Sequence, residues 1–473
     1  MVVGEVLRPD DRARRGRRQR AAVVAALVVV LLLMFAAEAQ AYVSGDLIYA
    51  KRIGTSASPA GSWTLAAGPD GMTAVAGWKW SATLATYVPM VAKYDVAGER
   101  RWLQTCTDLG SGSADAVAVD PYGSIYVAAT VDNGDGTKDD IAVLRYGSAG
   151  TLKWVQTYDG PANDVDYVEA LLIDKAGNVI VVGQSRGTAD TWGAVVLKYG
   201  RDGTMLWAEA ARYDPDVGDP NAGPIWVYDA ARDADGNIYV GGSSEYNVGG
   251  EWIESALMVK FAAADGARLW GQVYDATKNP QSYFNQVAVR GTAVVGVGSA
   301  WNGQDDGLVV KYNLSGTQKY AREWSPTVGG GWFGDVIIDG SGYVYVTGGQ
   351  WTTSYEKVVT LKLRPDLTTV WKALYLPTSY WAEGWYLARN SLGNIYVAGA
   401  KWTPTSSKWL VDILTLKYSA TGVRKWARVW SAGGPGDDVA TGMVLGTAGG
   451  VYVAGEVTNK DDFPQAVLLK YKL

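Results

Sequence analysis

Apolar and polar positions along the chain fall into short apolar runs separated by turns that contain aspartate or glycine. In one unit, residues 116–119 and 125–127 are apolar runs joined by an Asp-x-x-Gly turn, and a variable polar segment follows. Residues 141–146 and 154–158 form a second pair of runs around another glycine. Short runs rich in Val, Ile and Tyr predict antiparallel strands joined by tight turns. Each unit therefore predicts four strands, A to D.

Two phrases of sequence alternate through the chain. One is typified by DADGNIYVGG from Asp233, and the other by LKYGRDGTMLW from Leu197. The closing position of the first phrase is occupied by Gly77, Ala129, Gly183, Gly242, Gly298, Gly348, Gly399 and Gly455. These positions are 50 to 59 residues apart, and a period of that length filled with short strands indicates a solenoid or a propeller. Several strands are apolar on both faces, so each small sheet must be covered on both sides, as the blades of a propeller are.

Counting the strands gives eight blades. Strands B and C each occur eight times, whereas a D strand follows only seven of the C strands. The segment GDLIYAKRI, residues 45–53, matches the missing D strand and places Tyr49 at the position of the recurring tryptophan. We therefore predict an all-β fold, a single β-propeller of eight four-stranded antiparallel blades over residues 45–473. The N-terminal strand joins the last blade and leaves no open sheet edge.

The two phrases resemble the bacterial SBBP-type β-propeller repeats, whose pattern is D-x-x-G-N-[IV]-Y-V-x-G followed by K-Y-x-x-x-G-x-x-x-W. The resemblance extends over residues 45–473 and is strongest at residues 174–207, 233–270 and 390–426. It implies a propeller of the kind found in exported bacterial proteins, with no single activity. The turn before the tryptophan also resembles the tryptophan-docking motif of the eight-bladed quinoprotein dehydrogenases. Those enzymes have an adjacent cysteine pair and a calcium-bound quinone, and a single cysteine, Cys106, cannot supply the pair.

The N-terminal segment has the composition of a secretory signal. Six arginines between residues 12 and 20 precede an apolar run at residues 21–37, and Ala39-Gln40-Ala41 provides a small-residue cleavage site. We expect residues 1–41 to be a signal peptide and the propeller to be exported, either secreted or held at the cell surface. An uncleaved N-terminal membrane anchor is the alternative.

Composition excludes several classes of function. The 473-residue chain has a net charge of −5, and no basic stripe follows the N-terminus, so we expect no nucleic-acid partner. It contains no histidine, which excludes imidazole bases, Ser-His-Asp catalysis and His-ligated metals. We expect no organic cofactor, with Ca²⁺ as the one candidate ion.

Acidic residues recur near the start of strand A, on the side where the variable D–A and B–C loops lie. This set comprises Asp115, Asp166, Asp229, Asp335, Glu383 and Asp438, with Asn285 at the same position in another unit. If strand A is innermost, these side chains would ring one mouth of the central channel and could hold Ca²⁺ or a cationic ligand. Alternatively, each bonds amides of its own D–A loop. The acidic segment at residues 132–140 is a weak further calcium candidate, because it lacks EF-hand spacing, and a solvated B–C loop is the favoured alternative.

Tryptophans are concentrated on the same predicted face. Trp78, Trp80, Trp301, Trp351 and Trp402 follow strand B, while Trp332 and Trp381 lie in or beside D–A loops. Exposed tryptophans on loops could stack on sugar rings or anchor a protein partner. The alternative is that they pack over the blade tops and have only a structural role. The tryptophans of strand D, at a fixed place in the repeat, are expected to be structural.

These observations favour a non-catalytic, exported propeller that binds a ligand through its variable face, which is rich in Trp and acidic residues. A carbohydrate and a protein are both candidate partners. Two alternatives remain: a carboxylate-based lyase or hydrolase at the channel mouth, using residues such as Glu383 or Asp335, and a purely structural domain of the cell envelope.

Overall fold

The computed structural model describes residues 47–473 except 133, 135–137, 188–191, 212–221, 249–250, 275–280, 327–328, 378–380 and 406–407. The predicted signal segment, residues 1–41, lies outside the described residues. The described part of the chain forms 32 strands and one short 3-10 helix, Thr107–Leu109. None of its helices is long and apolar enough to cross a membrane.

The strands follow one another in a regular order. In the first half of the chain they are β1 (Leu47–Ile53), β2 (Ala60–Ala67), β3 (Thr73–Ser81), β4 (Thr86–Tyr94), β5 (Arg100–Thr105), β6 (Ser111–Val119), β7 (Ile125–Asp132), β8 (Asp140–Tyr146), β9 (Leu152–Tyr158), β10 (Asp166–Ile173), β11 (Val179–Arg186), β12 (Trp192–Tyr199), β13 (Met205–Ala211), β14 (Ala222–Arg232), β15 (Ile238–Val248) and β16 (Glu251–Phe261). In the second half they are β17 (Arg268–Tyr274), β18 (Gln281–Arg290), β19 (Ala293–Trp301), β20 (Asp305–Asn313), β21 (Gln318–Trp324), β22 (Gly331–Ile338), β23 (Val344–Trp351), β24 (Glu356–Leu363), β25 (Thr369–Tyr375), β26 (Ala382–Arg389), β27 (Ile395–Pro404), β28 (Trp409–Tyr418), β29 (Arg424–Trp430), β30 (Val439–Gly446), β31 (Gly450–Thr458) and β32 (Pro464–Tyr471).

These strands form eight four-stranded antiparallel sheets, which confirms the predicted eight-bladed β-propeller. Blades 1 to 7 each use four consecutive strands, from β2 to β29. Blade 8 has the order β1-β32-β31-β30, so the first strand completes the last blade. Its register runs from Leu47 opposite Tyr471 to Ile53 opposite Ala466.

The hydrophobic core lies between the blades. Each of the eight interfaces between neighbouring blades in the described chain has its own cluster of buried apolar residues. At the interface between blades 8 and 1, Ile53 packs with Leu65 of blade 1 and Leu468 of blade 8. Both faces of each sheet are therefore covered, which explains why the B and C strands are apolar on both sides.

Strand A of each blade is innermost and has a recurring irregularity. The A strands contact the A strands of both neighbouring blades. Each has a β-bulge at the same position, and β14 has a second register shift between Ala222 and Ile225. The bulged residues are Trp63, Asp115, Glu169, Tyr228, Asn285, Gly334, Trp385 and Thr441. Because a bulge bends the strand and redirects a side chain, it gives each blade one variable residue near the central channel.

In six of the eight blades, the recurring tryptophan of strand D packs against the next blade. Trp102 of blade 1 donates its indole N–H to the carbonyl of Ser148 in blade 2, at 3.0 Å. Its ring lies against Gly150, which has a φ of +87°, and a Cβ there would come within 2.8 Å of the ring. At ring closure, Tyr49 packs in the same way against Gly98 of blade 1. The strand D tryptophans are therefore inter-blade wedges.

Candidate ligand-binding site

A cavity of about 230 Å³ opens on the variable face at the boundary of blades 6 and 7. It is lined by the B–C hairpin of blade 6 and by the residue before β26: Trp351, Thr352, Thr353, Ser354, Tyr355, Glu356 and Trp381. Trp351 ends β23 and pairs with Glu356, the first residue of β24. The hairpin and the D–A loop thus form the cavity together.

Two carboxyl groups from neighbouring blades meet beside this cavity. Glu356 is only 5% exposed, and its Oε1 accepts a hydrogen bond from the Trp332 indole at 2.8 Å. Glu383 of blade 7 accepts one from the Trp385 indole at 2.8 Å. Burial, reinforced by contact with the Glu383 carboxyl, raises the pKa of Glu356 to about 8. The contact therefore favours the protonated form of Glu356, which can donate a hydrogen bond to Glu383, since two carboxylates in contact cannot both ionise readily.

Exposed aromatic rings extend the cavity outward. Trp381 and Trp409 are stacked, with ring centroids 5.8 Å apart and planes 6° apart. They are 43% and 45% exposed, respectively. The Trp381 indole donates to the Ser354 carbonyl at 3.3 Å, and the exposed Tyr355 lies in the same hairpin. The backbone amide of Trp402 donates a hydrogen bond to the Trp381 carbonyl at 2.9 Å, which connects β27 to this loop. The result is an open aromatic platform next to a buried carboxyl pair.

The structure separates the predicted tryptophans into groups. Trp332, Trp351, Trp381 and Trp402 gather around the blade 6–7 cavity, together with the predicted acid Glu383. Trp78 and Trp80 form a second group in blade 1, and Trp301 lies at the end of β19 in blade 5. The prediction placed five of these residues after strand B. They instead occupy its last residues, because the B–C hairpins extend the ladder beyond the closing position.

Two of the predicted acids join neighbouring A strands. Asp229 accepts a hydrogen bond from the amide of Val287 in blade 5 at 2.9 Å, and Asp335 accepts one from Leu387 in blade 7 at 2.6 Å. Burial raises the pKa of both carboxyls to about 7. Asp115 accepts from the Thr130 amide within its own blade, and burial raises its pKa to about 6.

The other two, Asp166 and Asp438, are buried and bond their own loops. Asp166 accepts from the Gly160 amide at 2.6 Å, and Asp438 accepts from the amides of Ala432 and Thr458. The contacts with Gly160 and Ala432 are the local loop contacts of the alternative interpretation, whereas Thr458 is the last residue of β31. The six predicted acids thus have different surroundings and different hydrogen-bond partners.

One acidic group in the described chain has oxygens close enough to hold a cation. Oxygens of Asp140, Asp159 and Asp166 lie within 4.8 Å of one another, and Asp140 and Asp166 are buried. Hard cations such as Ca²⁺ take carboxylate ligands in this way. Asp140 belongs to the acidic segment at residues 132–140, part of which lies outside the described residues.

Sequence reasoning missed Glu356, the most perturbed carboxyl of the cavity. It stands three residues before Val359, which pairs with the closing glycine Gly348. Glu254 and Asp305 occupy the corresponding positions in blades 4 and 5. Aligning the C strands on the closing position therefore shows an acidic residue at this position in blades 4, 5 and 6. The Trp381–Trp409 stack gave no such indication, because its two residues lie 28 positions apart in different elements.

No protein-family model matches the sequence, and no curated protein matches it. Similar solved structures include a europium-containing methanol dehydrogenase, with a TM-score of 0.54 and 12% identity over 90% of this chain and 93% of that one. They also include Sqt1 from Chaetomium thermophilum, with a TM-score of 0.55 and 10% identity over 91% of this chain and 99% of that one. At these identities the likeness shows the β-propeller fold alone.

Proposed function

We propose that the protein is an exported, non-catalytic propeller of the SBBP repeat type that binds a neutral saccharide between blades 6 and 7. The observation that carries the proposal is the exposed Trp381–Trp409 stack beside the buried Glu356–Glu383 pair. Sugar rings combine apolar faces, which pack on aromatic rings, with hydroxyls, which bond carboxyls and amides. The export part of the proposal is supported by the sequence of residues 1–41.

The shape of the cavity suits one ring of a longer saccharide. Its volume of about 230 Å³ is below the roughly 300–1,000 Å³ of sites that enclose a drug-sized ligand. One sugar ring would lie against Trp351 and Trp381, with hydroxyls toward Thr352 and Glu356. The remaining rings would continue over Trp409. A concave, partly polar site of this size fits a saccharide better than the broad, flat patch of a protein interface.

The carboxyl pair favours binding over glycoside hydrolysis. Glycosidases place their two carboxyls about 5–5.5 Å or about 6.5–9.5 Å apart, with the scissile bond between them. Glu356 and Glu383 hydrogen-bond to each other, so a sugar cannot lie between them. The protonated Glu356 instead holds its neighbour in place and limits the negative charge beside the cavity.

Replacing the aromatic platform tests this proposal. Trp381→Ala with Trp409→Ala should weaken binding to a neutral glycan at least tenfold, which corresponds to about 1.4 kcal/mol. The melting temperature should change little, because both side chains are substantially exposed. A glycan array identifies the ligand, and titration calorimetry measures its affinity.

Tyr122→Ala is the matched control for this test. Tyr122 is an exposed aromatic residue on an A–B turn, far from the cavity in the repeat, so its loss should leave glycan binding unchanged. Absence of neutral glycans among the array hits, or full affinity in the double variant, would contradict the proposal.

A further inference from the structure

A second cavity opens on the variable face at the boundary of blades 1 and 2. Its volume is about 420 Å³, and it is lined by Trp63, Trp78, Thr86, Tyr87, Ser111, Gly112 and Ser113. Trp63 is the bulged residue of β2 and is 47% exposed. Tyr87 is also exposed. Its ring packs edge-on against Trp78 and Trp80, with centroid separations of 4.6 Å and 5.2 Å, respectively. Here too, aromatic rings form an open wall.

The two cavities share an arrangement of tryptophan, glycine and glutamate. At the cavity of blades 6 and 7, Trp332 of strand A pairs with Gly349 of strand B, and Glu356 lies above the glycine. At the second cavity, strand A provides Gly61, which pairs with Trp78 of strand B. A Cβ on either glycine would overlap both a carboxyl oxygen and the indole nitrogen. The same cross-strand position therefore places an indole N–H beside a carboxyl in both blades.

The carboxyl of the second arrangement comes from the neighbouring blade. Glu456 belongs to β31 of blade 8, and burial raises the pKa of its carboxyl above the ordinary range. Its oxygen and the Trp78 indole nitrogen both crowd the space above Gly61. Trp78, which lines the second cavity, thus lies against a buried carboxyl that does not itself line it, whereas Glu356 lines the cavity of blades 6 and 7.

We infer that this cavity is a second binding site for the same neutral saccharide, so that one polymer chain engages both. This inference rests on the proposed function. Among the lining residues every side chain is uncharged, and Thr86, Ser111 and Ser113 provide hydroxyls. Such a lining fits a neutral sugar ring rather than an ionic ligand, because an ion would lose its water without gaining a charged partner.

Two sites on one rigid face change the binding of polymers more than that of short sugars. In the ring, blades 7, 8 and 1 lie between the two cavities. A polysaccharide held at one site presents its next segment to the other at high effective concentration, which raises affinity by about 10²–10⁴-fold without a new contact. A trisaccharide is too short to reach both sites and binds each independently.

The experiment compares trisaccharides with their polymers. The panel contains gluco-, manno- and xylotriose and the corresponding soluble glucan, mannan and xylan. The wild type should bind two trisaccharides, and Trp63→Ala with Tyr87→Ala should leave one. The affinity of this variant for the polymer should fall by a factor of about 100 or more. Trp63→Ala alone, which changes an exposed side chain, provides a second variant if the double one folds poorly.

The variants at the two cavities distinguish the two claims. One trisaccharide bound to the wild type, with full polymer affinity in the Trp63/Tyr87 variant, would overturn the second site and leave the first intact. Unchanged stoichiometry in the Trp381/Trp409 variant would overturn the proposed function. Binding of no member of the panel would overturn both.

Discussion

Glu356 is a buried carboxyl whose hydrogen bonds join the two blades that form the candidate site. Glu356 is the first residue of β24 and accepts a hydrogen bond from the Trp332 indole N–H. Its carboxyl also hydrogen-bonds to Glu383 across the blade boundary. Removing a charged carboxyl from water favours its protonated form, and a second carboxyl nearby reinforces the effect. The consequence is a pH-dependent contribution to stability.

Glu356→Gln should flatten the pH dependence of stability. The folded-state pKa of Glu356, about 8, lies above the ordinary value of 4.5, so the folded chain holds a proton that the unfolded chain releases. This contribution is present below about pH 4.5 and is lost as the pH rises to about 8, by at most about 1.4 kcal/mol per pH unit. Glutamine has no such proton, so the unfolding free energy of the variant should fall less between pH 5 and 8.

Urea unfolding at several pH values measures this difference. Asp229 and Asp335, whose pKa values burial also raises, contribute to the slope of both proteins, so the comparison isolates the glutamate pair. Glu99→Gln, at an exposed residue, should keep the wild-type slope. Parallel curves for wild type and Glu356→Gln would show that the pair does not share its proton in this way.

At the scale of the hairpin, blade 6 departs from the repeat. Leu367 takes the place of the C–D turn glycine at a φ of +65° and is only 2% exposed. It packs into the interface between blades 5 and 6. The preceding blade has Tyr320 instead of tryptophan, and this side chain is 46% exposed. Arg322 donates to the Leu367 carbonyl at 2.8 Å, so a guanidinium supplies a hydrogen bond across this blade boundary.

Leu367→Gly should destabilise the protein even though it relieves backbone strain. The left-handed conformation costs a leucine roughly 1–2 kcal/mol, whereas losing a buried leucine side chain costs about 2–5 kcal/mol. Adding Tyr320→Trp to this variant should recover part of the loss, because an indole could then pack on the glycine as Trp102 does on Gly150. Tyr320→Trp alone should give no gain, since Leu367 occupies that space.

A double-mutant cycle of unfolding free energies measures the coupling between these two positions. We expect a favourable coupling of at least about 0.5 kcal/mol, because a tryptophan at residue 320 gains its packing partner only when residue 367 is glycine. Additive effects would mean that leucine and tryptophan do not compete for one place between the blades.

At the scale of the whole molecule, β1 closes the ring. It pairs along its length with β32 and places Ile53 in the core between blades 8 and 1. Burying one large apolar side chain contributes about 1.5–3 kcal/mol, and a whole domain is stable by only about 5–15 kcal/mol. The strand therefore contributes a substantial share of the total.

Deleting residues 47–53 should cause aggregation or a much lower melting temperature. The deletion leaves the apolar β32 as an open edge with unpaired amides and carbonyls, which invites pairing with other chains. Size-exclusion chromatography and thermal melting measure the effect, with a chain that starts at residue 45 as the control. A synthetic peptide of residues 45–54 should restore the monomer by occupying the edge. A monomeric deletion variant of unchanged stability would show that β1 is dispensable.

The sequence contained nearly all of the fold because each blade repeats the same local physics. Three recurring features have the same role wherever they occur. The Asp-x-x-Gly turn joins strands A and B, the C–D glycine allows the second turn, and the tryptophan packs between blades. Tyr49 could be assigned to blade 8 for that reason, although it lies at the other end of the chain. The candidate site was harder to predict from the sequence, because Glu356 and Glu383 meet only through the packing of two sheets. The tryptophans indicated the variable face, on which both cavities open, but not which of them share a cavity.

Ring closure also determines the order in which the chain can fold. Blades 1 to 7 each form from consecutive strands, so they can assemble while the chain is being synthesised. β1 must wait for β32, whose residues follow it by more than 400 positions. At about 5–20 residues per second, that interval is on the order of tens of seconds. During it, Tyr49 and Ile53 have no blade to join, so completion of the ring is the last step and the one most exposed to mispairing.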